Sequence, residues 1–204
     1  MIIYELRLVE KDYMSLDYIQ GDEYSLYFFE KFYEDNFDYN QKPPRIKLLK
    51  ELNGRNYYKF SDFIYDSGVP IFSEKAKKVL EDMLLKSGNF FEIENVDKVH
   101  KYSWKGLKRF KNRYFALNIT NRVDCLNLEK SNRDKNGFSV NEVYFFEEKI
   151  DKNLDIFKVK MLNYSNYVTQ DFVDRIIHCG LKGFSFKPVW SSYNEPLGDT
   201  IDLY

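Results

Sequence analysis

Cysteine and histidine are nearly missing from this 204-residue chain, with two of each. Two thiols, Cys125 and Cys179, fall far short of a disulfide framework, so a reducing cytoplasm is the expected setting. There is no CxxC, no HExxH and no imidazole pair at a ligand spacing, so no metal site is expected. The two histidines are His100 and His178. His178 precedes Cys179 at the end of an expected helix, where adjacent side chains do not face each other. That argues against a Cys–His nucleophile and for a histidine meeting the last helical carbonyls. A phosphate cradle is missing too, because Gly180 and Gly183 follow a helix instead of opening one. No cofactor is expected. No apolar run approaches a membrane span, and the start MIIYELRLVEKDY lacks the basic and apolar regions of a secretory signal. Excess charge is absent as well: 31 bases against 32 acids leave a net of −1. A dedicated nucleic-acid binder would be basic overall.

What the chain does have is aromatics, 17 Tyr and 18 Phe. Tyrosine is favoured at interfaces, and a coding bias toward Asn, Lys, Ile and Tyr accounts for the same abundance. The charges are also segregated. Residues 1–40 hold ten acids against three bases. Among those acids are Asp17, Asp22, Glu23, Glu34, Asp35 and Asp38. Residues 98–113 hold seven bases and no acid.

Periodicity outlines the elements. Residues 2–9 alternate as a half-buried strand, with Ile2, Tyr4, Leu6 and Leu8 on one side. Residues 24–37 fit an aromatic strand or a helix equally. The run 41–44, with Pro43 and Pro44, is the strongest break and sets an acidic, aromatic region, 1–42, apart from the rest. Strands are expected at 57–65, 90–96, 114–119, 138–146, 155–161, 163–168 and 183–189. Ser73 is placed to cap a helix over about 74–87, with Gly88 as its C′ glycine. Thr169 is placed to cap a second over 170–179, with apolar face Phe172, Val173, Ile176 and Ile177 and with Gly180 ending it. Strands outnumber helices and no βαβ alternation is present. The expected fold is a single α+β domain, 1–204, with a mostly antiparallel sheet and two main helices.

Three features invite a functional reading. Asp124 directly follows an apolar strand, where it suits a general base or, as is commoner, a cap of its own turn. The basic segment interleaves Tyr102, Trp104 and Phe110 with cations. It suits single-stranded nucleic acid through Lys101, Trp104, Lys108 and Arg109, a protein partner, or a solvated loop. The acidic N-terminal region suits either a solvated face or a surface that meets a basic partner.

Three stretches together resemble a known family. Pro70-Ile71-Phe72-Ser73 opens a helix. An aromatic strand runs into Asn121, Asp124 and Leu126, with Ser131 beyond. A helix is followed by Gly180-Leu181-Lys182-Gly183-Phe184-Ser185-Phe186. This pattern resembles a bacterial immunity-protein family of polymorphic toxin systems, immunity family eleven, formerly a domain of unknown function. The likeness covers about 70–187, and its motif residues Ser73, Asn121, Asp124, Ser131, Gly180 and Gly183 are mostly structural. It implies a non-catalytic cytoplasmic protein that binds a cognate toxin and blocks it. A basic nuclease toxin would suit the acidic region, and neither a membrane nor nucleic acid is the expected partner.

Overall fold

The computed structural model describes residues 1–9, 13, 15–18, 22–23, 43–49, 51–52, 55–56, 59–66, 68–95, 100–101, 108–109, 113–133, 140–193 and 196–204. The ambiguous run 24–37 lies outside them. In chain order the strands are β1 (Ile2–Leu8), β2 (Ser15–Tyr18), β3 (Arg45–Leu49), β4 (Glu51–Leu52), β5 (Arg55–Asn56), β6 (Phe63–Asp66) and β7 (Val69–Ser73). Helix α1 (Glu74–Leu84) follows, then β8 (Gly88–Asn95), β9 (His100–Lys101), β10 (Lys108–Arg109), β11 (Tyr114–Ile119) and β12 (Arg122–Val123). Next come β13 (Asn132–Arg133), β14 (Val140–Glu142), a 3-10 turn (Glu147–Lys149), β15 (Ile156–Val159) and β16 (Leu162–Thr169). Helix α2 (Gln170–His178), β17 (Phe184–Ser191) and β18 (Ile201–Asp202) complete the chain.

Two six-stranded sheets carry the molecule. The first has the order β12-β15-β16-β1-β17-β18, the second β2-β3-β8-β11-β7-β6. The fold is α+β, as expected, but the sheets are mixed. Each contains one parallel pair, β12 with β15 and β3 with β8, and its other pairs are antiparallel. A parallel pair cannot be joined by a tight turn and needs a long crossover. Between β12 and β15 the chain runs through 124–155, of which Cys125, Leu126, Val143, Phe145, Ile150 and Leu154 pack on the outer face of the first sheet.

The main core lies where the sheets and both helices meet. Tyr4, Leu6, Ile156, Val168, Phe184 and Phe186 come from the first sheet, and Phe63, Phe72, Leu117 and Ile119 from the second. Phe184 stacks on Phe63 at 4.7 Å between centroids and on Phe186 at 6.0 Å. Aromatic pairs at such distances add about 0.5–1.5 kcal/mol each to the burial term. A second core forms beneath the crossover segment. There Ile3, Phe157, Val159, Tyr167 and Trp190 of the sheet meet Cys125, Leu126, Val143, Phe145, Ile150 and Leu154. Strand β1 lies between β16 and β17 and is half-buried as expected: Tyr4 and Leu6 enter the main core and Ile3 the second, while Arg7 is exposed. Its charged pair, Glu5 and Arg7, bond each other, and Glu5 Oε1 accepts from Ser165 Oγ at 2.8 Å.

Helix α1 starts as the sequence indicates. Ser73 Oγ accepts from Ala76 N at 3.1 Å, Glu74 occupies the first turn, and Ala76, Leu80, Met83 and Leu84 are buried at helical spacing. It stops at Leu84, and Gly88 is not its cap. Gly88 begins β8, where an added Cβ would stand 1.9 Å from Asn118 O of the paired strand. That glycine permits close strand approach. In α2, Thr169 occupies the N-cap position in extended backbone, yet its hydroxyl makes no cap bond. Ile177, expected on the apolar face, is 46% exposed. The C-terminus is a Schellman turn. Leu181 N donates to Ile176 O at 3.2 Å and Gly180 N to Ile177 O at 3.1 Å, with Gly180 at φ +58°. The hydrophobic contact of that motif is present too, since Ile176 and Leu181 share the main core.

Candidate interaction surfaces

The family-like stretches converge on two residues that the sequence did not single out, Ser61 and Asp62. Asp62 N donates to Lys182 O and Asp62 O accepts from Ser73 N, both at 2.9 Å. Its carboxylate accepts from Ser73 Oγ at 2.8 Å and Lys182 N at 3.1 Å, with Lys75 Nζ at 3.5 Å. The helix-opening serine and the loop after α2 are thus tied to one carboxylate. Ser61 Oγ bonds Phe63 O, accepts from Phe63 N at 3.0 Å and fills the space beside Gly183. Gly183, at φ +88°, has no room for a side chain.

The corner after β11 carries the chain from the second sheet to the first. Asn121 Nδ2 donates to Lys86 O at 2.9 Å, and Asn121 O accepts from Lys158 N at 3.0 Å. Asn121 thus ties the corner to residues distant in sequence and does not cap its own turn. Asp124 does neither. It is exposed, and among the described residues its side chain makes no hydrogen bond. The capping falls to Asn127, whose Oδ1 accepts from Glu129 N and Lys130 N, both at 3.1 Å. An asparagine satisfying the backbone N–H two and three residues on is a sequence-readable signal, and here Asn127 carries it, not Asp124. Ser131 is 8% exposed and its Oγ accepts from Tyr144 N at 3.0 Å. With Asn127 N donating to Tyr144 O at 2.8 Å, the turn is clamped against Tyr144.

The structure does not assemble the acidic N-terminal residues into one described site. Asp17 lies on β2, and Asp22 and Glu23 are described, Glu23 being exposed; Glu34, Asp35 and Asp38 lie outside the described residues. In the basic segment, β9 and β10 pair as an antiparallel ladder that sets Lys108 opposite Lys101 and Arg109 opposite His100 in register. Trp104 lies outside the described residues. Arg113, at the segment's end, is engaged internally, with Glu92 at 2.6 Å and Glu74 at 3.4 Å.

Lys158 is the most perturbed ionisable group at a described position. It is 3% exposed on β15, one strand in from the edge of the first sheet, and its ammonium is pushed down to about 7 by burial and then by Arg122 beside it. Its cross-strand neighbours are Arg122 and Asn166. Asn166 Nδ2 in turn donates to Tyr65 Oη at 3.0 Å and Gly68 O at 3.1 Å, joining the two sheets. Burial of this kind lowers a lysine whether it serves chemistry or packing. Among the described residues no three His, Cys, Asp or Glu side chains converge as a metal site. No helix among them is long and apolar enough to cross a membrane.

The recognisable residues thus build a frame, joining the two sheets and closing the helices. The chain belongs to the immunity protein family Imm11, whose model matches residues 18–191. No curated protein matches it. Membership gives the chain a toxin-neutralising role with a cognate toxin as partner.

Proposed function

We propose that this protein binds its cognate toxin stoichiometrically, in the bacterial cytoplasm, and neutralises it by occluding the active site or substrate groove without catalysis. The observation that carries the reading is the family match over most of the chain. The frame-building role of the motif residues supports it, since they leave recognition to exposed positions. A polymorphic toxin system is the natural setting, and a nuclease toxin suits an acidic inhibitor, because a groove that attracts phosphate is basic. The contact surface proposed from the sequence is the N-terminal acidic region, with Asp17, Asp22, Glu23, Glu34, Asp35 and Asp38 facing that groove. The experiment is co-expression with the protein encoded by the neighbouring reading frame. A 1:1 complex and loss of toxicity are expected. Reversing the charge of Asp22, Glu23, Glu34 and Asp35 should weaken the complex and flatten its salt dependence. Unchanged binding and salt response would remove that region from the interface.

A further inference from the structure

We propose that the layer covering the outer face of the first sheet carries a toxin-docking surface, centred on Leu128 and Tyr144 and rimmed by Glu129, Glu142, Glu147 and Glu148. Its occupant is a basic, partly apolar face of the cognate toxin, so the proposal rests on the immunity reading and adds a location to it.

The layer is built to present these groups. Val143 and Phe145 turn inward to the second core, so Tyr144 between them turns outward and is 42% exposed. Leu128 stands 44% exposed on the adjacent turn. Both sit on fixed backbone. The turn is capped by Asn127 and bonded to Tyr144 on both sides, through Asn127 N and through Ser131 Oγ. An apolar pair held ready in this way loses little freedom on binding, and tyrosine is a preferred anchor at interfaces. Ser131, a family-like position with no other evident task, thereby acquires one.

The charges around the pair point to the partner's sign. Several carboxylates elsewhere in the described structure are engaged internally: Asp62 by Lys75, Glu74 by Lys78, Glu81 by Lys77, Asp82 by Arg175, Glu92 by Arg113 and Asp155 by Lys86. The four rim glutamates make no ion pair among the described residues. The described bases of the layer are Lys130, Arg133, Lys149 and Lys152, of which Lys149 sits over the Phe146 ring at 4.5 Å. Against them stand seven described acids, the four rim glutamates with Asp124, Asp151 and Asp155, which leaves an acidic rim around an apolar centre. A complementary basic face steers onto such a rim and docks on its centre.

The test measures binding of the full chain to the immobilised product of the neighbouring reading frame, at low and high salt. Two variants are compared with wild type: Glu129→Lys, Glu142→Lys, Glu147→Lys and Glu148→Lys combined, and Leu128→Ser with Tyr144→Ala. All changes are at exposed or half-exposed positions, and thermal melting verifies folding. The charge variant should associate at least about tenfold more slowly and lose most of its salt dependence. The apolar variant should dissociate at least about tenfold faster, with little change in association. Wild type binding while both variants bind within about twofold of it overturns the surface and leaves the immunity reading standing. Failure of wild type itself to bind overturns the immunity reading, and the surface with it.

Discussion

Gly183 gives the sharpest test of how the frame is held. Its backbone is left-handed, and a methyl placed on it would stand 1.7 Å from Ser61 Oγ and 2.9 Å from Ser61 Cβ. Neither side can retreat easily. Gly183 N donates to Leu203 O at 2.7 Å, Gly183 O accepts from Val9 N at 3.2 Å, and Ser61 is bonded to Phe63. For Gly183→Ala the left-handed backbone costs about 1–2 kcal/mol. Overpacking against a fixed neighbour adds about 1–3 kcal/mol. The sum, about 2–5 kcal/mol, lowers the melting temperature of a chain of this size by about 4–20 °C. The control is Ser61→Gly, which empties the contested space and leaves the backbone strain. In that background Gly183→Ala should cost only about 1–2 kcal/mol, so the double-mutant cycle should show coupling of about 1–3 kcal/mol. Urea unfolding of the four proteins measures it. Equal costs in both backgrounds would refute the steric argument, and a total cost well below 1 kcal/mol would refute the backbone argument too.

Lys158 should make stability depend on pH. Its folded pKa lies below the unfolded one, so the unfolded chain binds more protons between about 7 and the ordinary lysine range, and stability rises with pH across that window. The gain is at most about 1.4 kcal/mol per pH unit, and from pH 7 to 9 wild type should gain on the order of 2 kcal/mol relative to Lys158→Met. Parallel curves for the two proteins would contradict this. Asn127→Ala should cost about 1–2 kcal/mol by orphaning two turn N–H groups, whereas Asp124→Ala should fall within about 0.5 kcal/mol of wild type. A reversed order in chemical denaturation would restore Asp124 as the cap. Gly88→Ala should destabilise by more than about 3 kcal/mol, because the atom it meets is backbone. A near-native melting curve would show that β8 and β11 separate without cost. Removing residues 1–8 should abolish folding, since β16 and β17 then lose their shared partner. Native-like circular dichroism of the truncated chain would show that β1 is dispensable.

Local patterns were legible where one element decided them. β11 runs 114–119 as its alternation indicates, α1 begins where Ser73 caps it, and Gly180 ends α2. What escaped was decided by partners distant in sequence. Gly88 reads as a helix cap locally, and only the approach of Asn118 shows what it is for. β1 reads as half-buried and is so, but only its pairing with β16 and β17 shows that it lies inside a sheet between strands made far later in the chain. The parallel pairs leave no periodic mark, because pairing direction is a property of the crossover and not of the strand. At the surface, Asp124 drew attention by its position after an apolar run. Asn127 and Ser131 do the work there, and Ser131 bonds a residue thirteen positions away.

The place of β1 bears on timing. Its hydroxyl partner in α2 lies 166 residues downstream, and its two neighbouring strands, Leu162–Thr169 and Phe184–Ser191, are made long after it. At about 5–20 residues per second, β1 waits on the order of 10–40 s for the strands that enclose it. Until then the first sheet has a gap at its centre, and the layer resting on it has no floor. An inhibitor made this way protects only once β16 and β17 have joined β1. A cell relying on it needs a reserve of completed copies before the first toxin molecule folds.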